Sequence, residues 1–437
     1  MGYRRNLFAV TSASFIGFMG FTLVMPFLPL YFHLLGVEDV GRVAMWSGFS
    51  LGVTPALTAL LAPLWGRLAD RFGRKIMVER SLASFVVVMT AMAFVTKPWH
   101  VFALRAFQGL FAGYGALTLT MAADSAPRGR MGHAIGTVQT AQRLGPALGP
   151  VFGGSIAAIV GLHRAFFVAA AFYVIALAVV FLMYDERAVR APEQPAAETR
   201  RAVTFRNVLA FENFLLMAAV IFSFQFVDRS FGPVLPLYVA ELGTGAARVP
   251  LISGLLFSVA AGAGAVGHHV CARLLHRRTA TQVIAAASAV AAVSALVYVA
   301  APGVPSLFLA TPLFGLAIGV GTTAAYTAAA GVIPANVRGA GFGLLTTASL
   351  VGLAVSPVVC GLLAATSIRA VFALDVAALG ALAIAVHRAG RNQSLASRDQ
   401  APGGDTPSRA DDEQPVAAAD VVLPPGDGIL PPPDDPT

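Results

Sequence analysis

The string Pro-Phe-Leu-Pro-Leu-Tyr at Pro26–Tyr31 returns as Pro-Val-Leu-Pro-Leu-Tyr at Pro233–Tyr238, an offset of 207 residues (233 − 26 = 207). A second pattern of glycine, proline and small residues over Gly136–Gly154 returns over Gly343–Gly361 at the same offset (343 − 136 = 207). Repeats of this length are the mark of proteins built from duplicated helical bundles. The chain is therefore predicted to consist of two homologous halves.

The composition predicts that these halves lie in a lipid bilayer. Apolar residues make up 57% of the 437 residues and charged residues only 12%, against roughly 25% charged residues in soluble proteins. Apolar runs of about 20 residues can cross a membrane as helices. We predict an all-α integral membrane protein with twelve transmembrane helices, six per half. The predicted spans are 7–32, 43–65, 76–96, 99–123, 134–160, 164–184, 211–238, 249–271, 279–300, 305–331, 340–365 and 367–387.

The basic residues indicate the orientation of these spans. With both termini in the cytoplasm, the cytoplasmic segments hold 21 of the 30 Lys and Arg residues, and the outer loops hold five. This asymmetry follows the positive-inside rule. The net charge of +8 therefore serves topology, and no nucleic-acid partner is predicted. The first apolar run lacks a small-residue cleavage site, so we expect a retained helix.

Composition also divides the chain into segments. The two six-helix bundles are predicted to occupy residues 1–184 and 211–388, joined by a cytoplasmic linker at 185–210 that carries prolines and charges of both signs. Residues 389–437 are rich in Pro and Asp with almost no aromatic residues, which predicts a disordered cytoplasmic tail. The two cysteines lie in different halves, so no disulfide framework is predicted.

The loop between spans 2 and 3 reads Gly-Arg-Leu-Ala-Asp-Arg-Phe-Gly-Arg-Lys over Gly66–Lys75. Its two glycines allow a tight turn and a close approach of helices. Asp70 stands among four cations, with which a carboxylate can pair in one conformation and separate in another. The loop is predicted to act as a conformational latch, the alternative being a topological anchor alone.

These segments resemble a known family. Gly66–Lys75 is similar to the signature loop of the major facilitator superfamily, and Arg105–Gly109 is similar to the Arg-x-x-x-Gly motif that this family associates with proton coupling. The pattern over Gly136–Gly154 matches the signature of the family's drug/proton antiporters. The resemblance covers about residues 1–390. Together with Pro26–Tyr31, these motifs resemble most the twelve-helix multidrug efflux branch of the family.

The resemblance implies that an acid at the cytoplasmic end of span 4, here Asp124, pairs with the last arginine of the signature loop, here Arg74. The simpler alternative for Asp124 is a charge at a helix end. The predicted latch residues are Gly66, Asp70, Arg71, Gly73, Arg74 and Asp124.

Span 5 carries glycines at every fourth position, which places them on one helix face and permits close approach of another helix. A proline among them can bend the helix. This face is predicted to form a gate between the halves, the alternative being ordinary small-residue packing. The predicted gate residues are Gly136, Gly145, Gly149, Pro150, Gly153 and Gly154.

Ionisable side chains inside the membrane cost about 2.5–3.5 kcal/mol each and usually face a cavity or a partner. Two polar triplets share a helical face at i, i+3 and i+4: Gln225, Asp228 and Arg229 in span 7, and Gln139, Gln142 and Arg143 in span 5. The positions 207 residues away in the other half are uncharged. These triplets are therefore predicted to belong to the transport site rather than to the repeated scaffold.

Asp228 is the predicted proton carrier, tuned by Arg105 and Arg143, because desolvation raises the pKa of a carboxyl and a nearby cation lowers it. The alternative is a permanent ion pair with Arg229. All eight histidines are predicted to fall in loops or at span ends, so none is assigned a role. Four possible metal ligands lie close together in the sequence: His268, His269, Cys271 and His276. Because they belong to a positively charged cytoplasmic segment, no metal site is predicted there.

A cavity for apolar, often cationic substrates calls for aromatic and methionine side chains with an acid. Each such residue has helix packing as its alternative role. The predicted substrate-binding residues are Phe18, Met19, Thr22, Gln108, Gln139, Gln142, Phe222, Gln225, Arg229 and Tyr326.

Together these patterns predict a monomeric secondary transporter of the bacterial cytoplasmic (inner) membrane that exports amphipathic small molecules by proton antiport without a cofactor. The two bundles would rock about a central cavity. An exporter or importer of one metabolite (sugar, amino-acid or siderophore type) and a non-transporting membrane sensor remain open alternatives. An enzyme is not predicted, because the sequence has no nucleophile elbow, no metal-spaced histidine pair within a span and no phosphate-binding glycine loop.

Overall fold

The computed structural model of the protein describes residues 2–127, 130–186, 214–333 and 338–399. These residues form fifteen α-helices, and no strand is found among them. The predicted linker lies outside the described residues from 187 onward, and the predicted tail from 400 onward. The prediction of disorder is wrong for residues 389–399, which continue the last helix. In chain order, α1 to α15 are Gly2–Leu23, Leu28–Leu34, Val40–Phe72, Arg74–Met92, Pro98–Phe111, Tyr114–Ser125, Met131–Val160, Leu162–Met183, Phe214–Ser230, Leu235–Glu241, Val249–Leu275, Ala280–Val299, Val304–Val332, Arg338–Ala364 and Ile368–Asp399.

Most of these helices have the length and composition of membrane spans. In the described part of the chain, nine helices are long and apolar enough to cross a membrane, and the pair α9–α10, bent by 45°, makes a tenth. The predicted third span corresponds to α4, which begins with several charged residues, and the predicted fourth span is divided into α5 and α6. The all-helical prediction is confirmed, whereas a count of twelve requires these two regions to be spans as well.

The division of the fourth span occurs at Gly113, whose backbone φ of +122° lies in the region that favours glycine. Helix α5 thus ends with carbonyls that lack partners in the helix. Two side chains of α4 donate to one of these carbonyls: the Ser81 hydroxyl and the Arg80 guanidinium bond to Phe111 O, at 2.7 and 3.1 Å. The indole of Trp65 donates to Leu110 O at 2.8 Å. Three side chains from α3 and α4 therefore stabilise the break.

The repeated Pro-x-Leu-Pro-Leu-Tyr strings perform the same structural role in each half. Each string begins where the first helix of its half ends and leads into a short second helix, α2 or α10, with proline at its start. The Tyr31 hydroxyl donates to Met92 O at 2.6 Å, and the Tyr238 hydroxyl donates to Tyr298 O at 2.6 Å. Both tyrosines are fully buried, so the sequence repeat is also a repeat of tertiary contacts.

The two halves contact each other along α3 with α14 and along α7 with α11. The closest approaches lie at the predicted outer ends of these helices, where a Cβ on Gly48 would meet the Pro357 carbonyl and a Cβ on Gly154 would meet the Pro250 carbonyl. At the other ends of α3 and α7, a Cβ on Gly66 or Gly136 would meet no atom within 4 Å. The halves are thus joined tightly on the side away from the signature loop.

Candidate functional site

A cavity of about 480 Å³ lies between the halves, within the usual range of about 300–1,000 Å³ for small-molecule sites. Its lining includes nine of the residues predicted from sequence: Phe18, Thr22, Arg105, Gln142, Arg143, Gln225, Asp228, Arg229 and Tyr326.

Four predicted substrate-binding residues do not line this cavity. Met19 and Gln108 are buried elsewhere, at 5% and 0% exposure. Gln139 is exposed on α7, and the Phe222 ring packs against Phe226 at a centroid distance of 5.9 Å. The two glutamines that line the cavity, Gln142 and Gln225, also connect helices.

The cavity glutamines hold neighbouring helices by side-chain hydrogen bonds. The Gln142 amide on α7 donates to Gly115 O and to Thr118 Oγ1 on α6, at 2.9 and 3.1 Å. The Gln225 amide on α9 donates to Ser349 Oγ on α14 at 2.9 Å. The two amide oxygens and the second N–H of Gln225 have no partner in these bonds, so each glutamine both packs helices and lines the cavity.

Arg105 on α5 is a buried cation in the cavity wall, with 2% of the residue exposed. Its Nη1 donates to Gln108 Oε1 at 2.9 Å, and its carbonyl accepts from Thr54 Oγ1 at 2.8 Å. The Nε and Nη2 atoms have no hydrogen-bond partner, and the side chain forms no ion pair with any described residue. A charge in this setting is costly unless it is compensated, and the two unpartnered nitrogens are themselves buried.

Arg143 on α7 and His268 on α11 connect the two halves across the cavity. Arg143 Nη1 donates to His268 Nε2 at 2.7 Å, and His268 Nδ1 lies 2.6 Å from Thr323 Oγ1. The Thr323 hydroxyl in turn donates to Gly319 O at 3.0 Å. This chain of bonds requires a neutral imidazole that carries its hydrogen on Nδ1.

The prediction that every histidine falls in a loop or at a span end is wrong for His268. Helix α11 continues to Leu275, so His268 lies about two turns inside the helix and faces the cavity. The sequence could have identified His268 as a candidate site residue, because it lies within an apolar run and a histidine inside such a run needs a polar partner. The neighbouring Cys271 is fully buried, and no group of three or more metal-ligating side chains comes together in the described residues.

Asp228 and Arg229 on α9 form an ion pair in the cavity wall, with 3.2 Å between Asp228 Oδ2 and Arg229 Nε. Their side chains are 38% and 31% exposed, so both reach the cavity. In this conformation Asp228 therefore has the arginine partner that the ion-pair alternative requires.

The charges that line the cavity do not balance. Among the described lining residues are three arginines (Arg105, Arg143 and Arg229) and one aspartate (Asp228), a formal net charge of +2 with His268 neutral. Walls of low dielectric strengthen the resulting potential. The expected preference for cationic substrates is not supported, because a cation would meet excess positive charge.

The signature loop is held by contacts within the first half. Arg74 forms an ion pair with Asp124, whereas Asp70 is 74% exposed and its carboxylate lies 4.0 Å from Arg74. The backbone N–H of Arg74 donates to Glu186 Oε1 at 3.0 Å, which places a negative charge at the N-terminus of α4. Lys75 donates to two carbonyls at the end of α8.

The predicted loop over Gly66–Lys75 is wrong in extent: α3 continues to Phe72 and α4 begins at Arg74, so Gly66 and Arg71 lie within α3 and only Gly73 lies between the helices. Gly73 has a φ of +94° and links α3 to α4, a conformation that favours glycine. Gly66 has open space around it, and the Arg71 guanidinium lies 5.2 Å from the Phe72 ring centroid. Glu186 was missed from sequence, because it lies at the far end of the first half, 112 residues from Arg74.

The predicted gate face of α7 packs mainly within its own half. A Cβ on Gly145, Gly149 or Gly153 would contact backbone atoms of α1. Only Gly154 of the predicted gate glycines contacts the other half, and a Cβ on Gly254 of α11 would reciprocally meet the Pro150 carbonyl. The prediction of a glycine gate between the halves is therefore corrected. The helix face that carries Gly145, Gly149 and Gly153 packs against α1, and Gly154, the next residue, contacts the other half.

A duplicated helical bundle, most of whose helices can cross a membrane, with a charged cavity between its halves, is an architecture shared by many membrane transporters. Residues 10–311 match the sequence profile described as the Major Facilitator Superfamily. The chain belongs to the Major Facilitator Superfamily.

Relatives and solved structures agree with this assignment. The chain is 35% identical over 259 residues to the multidrug resistance protein MdtG of Rahnella sp. (strain Y9602) and 31% identical over 260 residues to that of Proteus mirabilis (strain HI4320). Each match spans 59% of this chain and 62% or 63% of the relative, about three fifths of its length.

Two solved structures show the same fold at low sequence identity. A bacterial homologue of the human lysosomal transporter Spinster, in an inward-facing and occupied conformation, has a TM-score of 0.72 and 15% identity, and the match covers 91% of this chain and 97% of that one. The nucleoside transporter NupG has a TM-score of 0.68 and 12% identity, with coverage of 87% and 99%.

Proposed function

We propose that the protein exports amphipathic small molecules from the bacterial cytoplasm across the inner membrane by proton antiport. The charged cavity between two separable halves is the observation that carries this proposal, and the curated relatives named as multidrug resistance proteins support it. Both termini are cytoplasmic, and the protein acts as a monomer with twelve spans and no cofactor. The close contact at the predicted outer ends corresponds to an inward-facing state, from which the halves rock to open outward.

The charge of the cavity narrows the substrate class to amphipathic molecules with an acidic group. At an effective dielectric constant of 20, a carboxylate about 5 Å from one uncompensated guanidinium gains about 3 kcal/mol. That corresponds to roughly a hundredfold in affinity before desolvation costs are subtracted. Arg105, whose Nε and Nη2 lack partners, and Arg143, held by a neutral His268, are the cations that remain free of a carboxylate.

Asp228 is the proposed proton carrier. Protonation of Asp228 would release Arg229 from the observed ion pair, while deprotonation would restore it. Because an acidic substrate and a proton act on different groups, they would not compete directly for Asp228. Coupling would instead run through the conformational change, with the protonated and deprotonated carrier favouring different positions of the halves.

Efflux from proteoliposomes under an imposed pH gradient tests the proposal. The anionic dye 8-anilinonaphthalene-1-sulfonate and the cationic dye ethidium are compared in the wild type, in Asp228→Asn and in a control, Glu241→Gln. Glu241 carries the carboxylate of a half-exposed ion pair with Arg369, away from the cavity lining. We expect gradient-driven movement of the anionic dye in the wild type and the control, and its loss in Asp228→Asn.

Other outcomes separate the parts of the proposal. Equal movement in wild type and Asp228→Asn would place the proton carrier elsewhere. Preference for ethidium would refute the substrate class, and movement of neither dye would favour a transporter of one specific metabolite.

A further inference from the structure

Asp375 on α15 is a carboxyl group in the interior of the second half, with 0% of its surface exposed. Its Oδ2 lies 2.6 Å from the Ser230 hydroxyl oxygen on α9, and its Oδ1 has no hydrogen-bond partner. No ion pair to Asp375 is found among the described residues. An ionised carboxylate without a cation is strongly unfavourable at such a depth, so its protonation state needs an explanation.

The hydrogen bonds of Ser230 supply one. The Ser230 hydroxyl oxygen lies 2.8 Å from Val227 O, one turn earlier in α9, as well as 2.6 Å from Asp375 Oδ2. A serine hydroxyl has one hydrogen to donate and two lone pairs to accept. Since Val227 O can only accept, each of the two contacts has a hydrogen of its own only if the carboxyl of Asp375 donates to Ser230. The geometry is that of a neutral carboxylic acid.

The groups around Asp375 agree with this assignment. The rings of Tyr238 on α10 and Tyr298 on α12 pack against Phe372, one turn before Asp375 on α15, and their hydroxyls bond to a backbone carbonyl and to Thr311. From α14 comes the Cys360 thiol, which is fully buried.

The charged groups nearest in sequence to this pair have partners of their own. On α15 itself, Arg369 pairs with Glu241 across 3.9 Å and is half exposed. On α9, Asp228 and Arg229 pair with each other. None of these cations is therefore bonded to the carboxyl.

The first half does not contain an equivalent pair. Phe166 packs against Tyr31, and Phe372 packs against the repeated tyrosine Tyr238. The two phenylalanines are therefore equivalent positions of the two halves, 206 residues apart (372 − 166 = 206). At the same offset, Asp375 corresponds to Ala169 (375 − 206 = 169), and at 207 Ser230 corresponds to a leucine. Because the scaffold forms there without polar groups, the fold does not require the Asp375–Ser230 bond.

We propose that Asp375 is a second proton-binding site of this transporter, linked to the cavity through Ser230. Ser230 is the last residue of α9, directly follows Arg229 of the cavity wall, and lies at the 45° bend between α9 and α10. A change of this bend would separate Ser230 from Asp375 and admit water. The acid would then give its proton to water and become a carboxylate, and the Asp375 site would reload when the bend closes.

Infrared spectroscopy of the purified full-length protein in lipid, at neutral pH and in H₂O and D₂O, tests the protonation. We expect the C=O stretching band of an un-ionised carboxylic acid in the wild type and in Asp228→Asn, and its loss in Asp375→Asn. The Asn side chain matches the neutral acid in size and donates to Ser230. Absence of the band from the wild type, or its persistence in Asp375→Asn, would overturn the assignment.

A second variant keeps the test decisive if Asp375→Asn fails to fold. Ser230→Ala retains the acid and removes its acceptor, so the band should move to higher frequency because the hydrogen bond is lost. An unchanged frequency would overturn the proposed bond.

The transport role rests on the proposed proton antiport and is measured separately, as protons moved per 8-anilinonaphthalene-1-sulfonate exported by proteoliposomes. Asp375→Asn should lower this ratio while changing the affinity for the dye by less than about twofold. An unchanged ratio would overturn the role of Asp375 in transport. If the wild type itself exports dye without moving protons, the antiport proposal fails, and the infrared band still decides whether Asp375 holds a proton.

Discussion

Replacement of Gly154 by alanine should shift the protein away from the observed conformation. The added Cβ would overlap the Pro250 carbonyl oxygen, lie 2.8 Å from the Pro250 carbonyl carbon and lie 3.1 Å from Leu251 Cα. These are backbone atoms of the opposite half, which cannot rotate away as a side chain can. Overpacking of this kind costs about 1–3 kcal/mol. Because a state with the outer ends apart avoids the overlap, about 2 kcal/mol would change the ratio of the two states about thirtyfold.

Two alanine substitutions on the same helix serve as controls. Gly136→Ala adds a Cβ with no atom within 4 Å, so it reports the gain in helix propensity alone. Gly153→Ala places a Cβ against the Leu23 backbone of α1 in the same half, so it should lower the thermal stability without shifting the two states. The measurement is the distribution of distances between spin labels at the outer ends of α3 and α14, by double electron–electron resonance.

The expected result is a new population at longer distance in Gly154→Ala and an unshifted distribution in both controls. Equal distributions in Gly154→Ala and Gly136→Ala would show that the contact between halves is not limiting. A shift in Gly153→Ala as large as in Gly154→Ala would refute the distinction between contacts within a half and contacts between halves.

Two further predictions concern charged contacts. Asp124→Asn should lower the thermal stability more than Asp70→Asn. Asp124 and its partner Arg74 are each about a quarter exposed, whereas Asp70 is 74% exposed, and exposed ion pairs contribute only about 0–1 kcal/mol. Equal shifts of the two variants in a thermal-denaturation assay would contradict this ranking. His268→Gln retains an acceptor for Arg143 and should preserve dye efflux, whereas His268→Leu removes that acceptor and should reduce efflux. Wild-type efflux in the leucine variant would show that the hydrogen bond between Arg143 and His268 has no part in transport.

The sequence was sufficient for the features that depend on local pattern and repetition. Apolar runs and their spacing predicted an all-helical membrane protein, and the repeated strings predicted two halves with equivalent contacts, which Tyr31 and Tyr238 display. Polar residues within apolar runs identified most of the polar side chains that line the cavity, including Asp228 and Arg105. These predictions succeed because lipid penalises an unpartnered polar group wherever the helix places it.

The tertiary structure decided which partner each group meets. The helical repeat placed three glycines on one face of α7, but only packing showed that this face binds α1 while Gly154 meets the other half. Partners far apart in sequence, such as Arg143 with His268, are invisible to a periodic pattern. The sequence by itself thus determined the fold class, the duplication and the polar positions. The charge balance of the cavity and the protonated state of Asp375 depend on distances between helices, which only the folded chain sets.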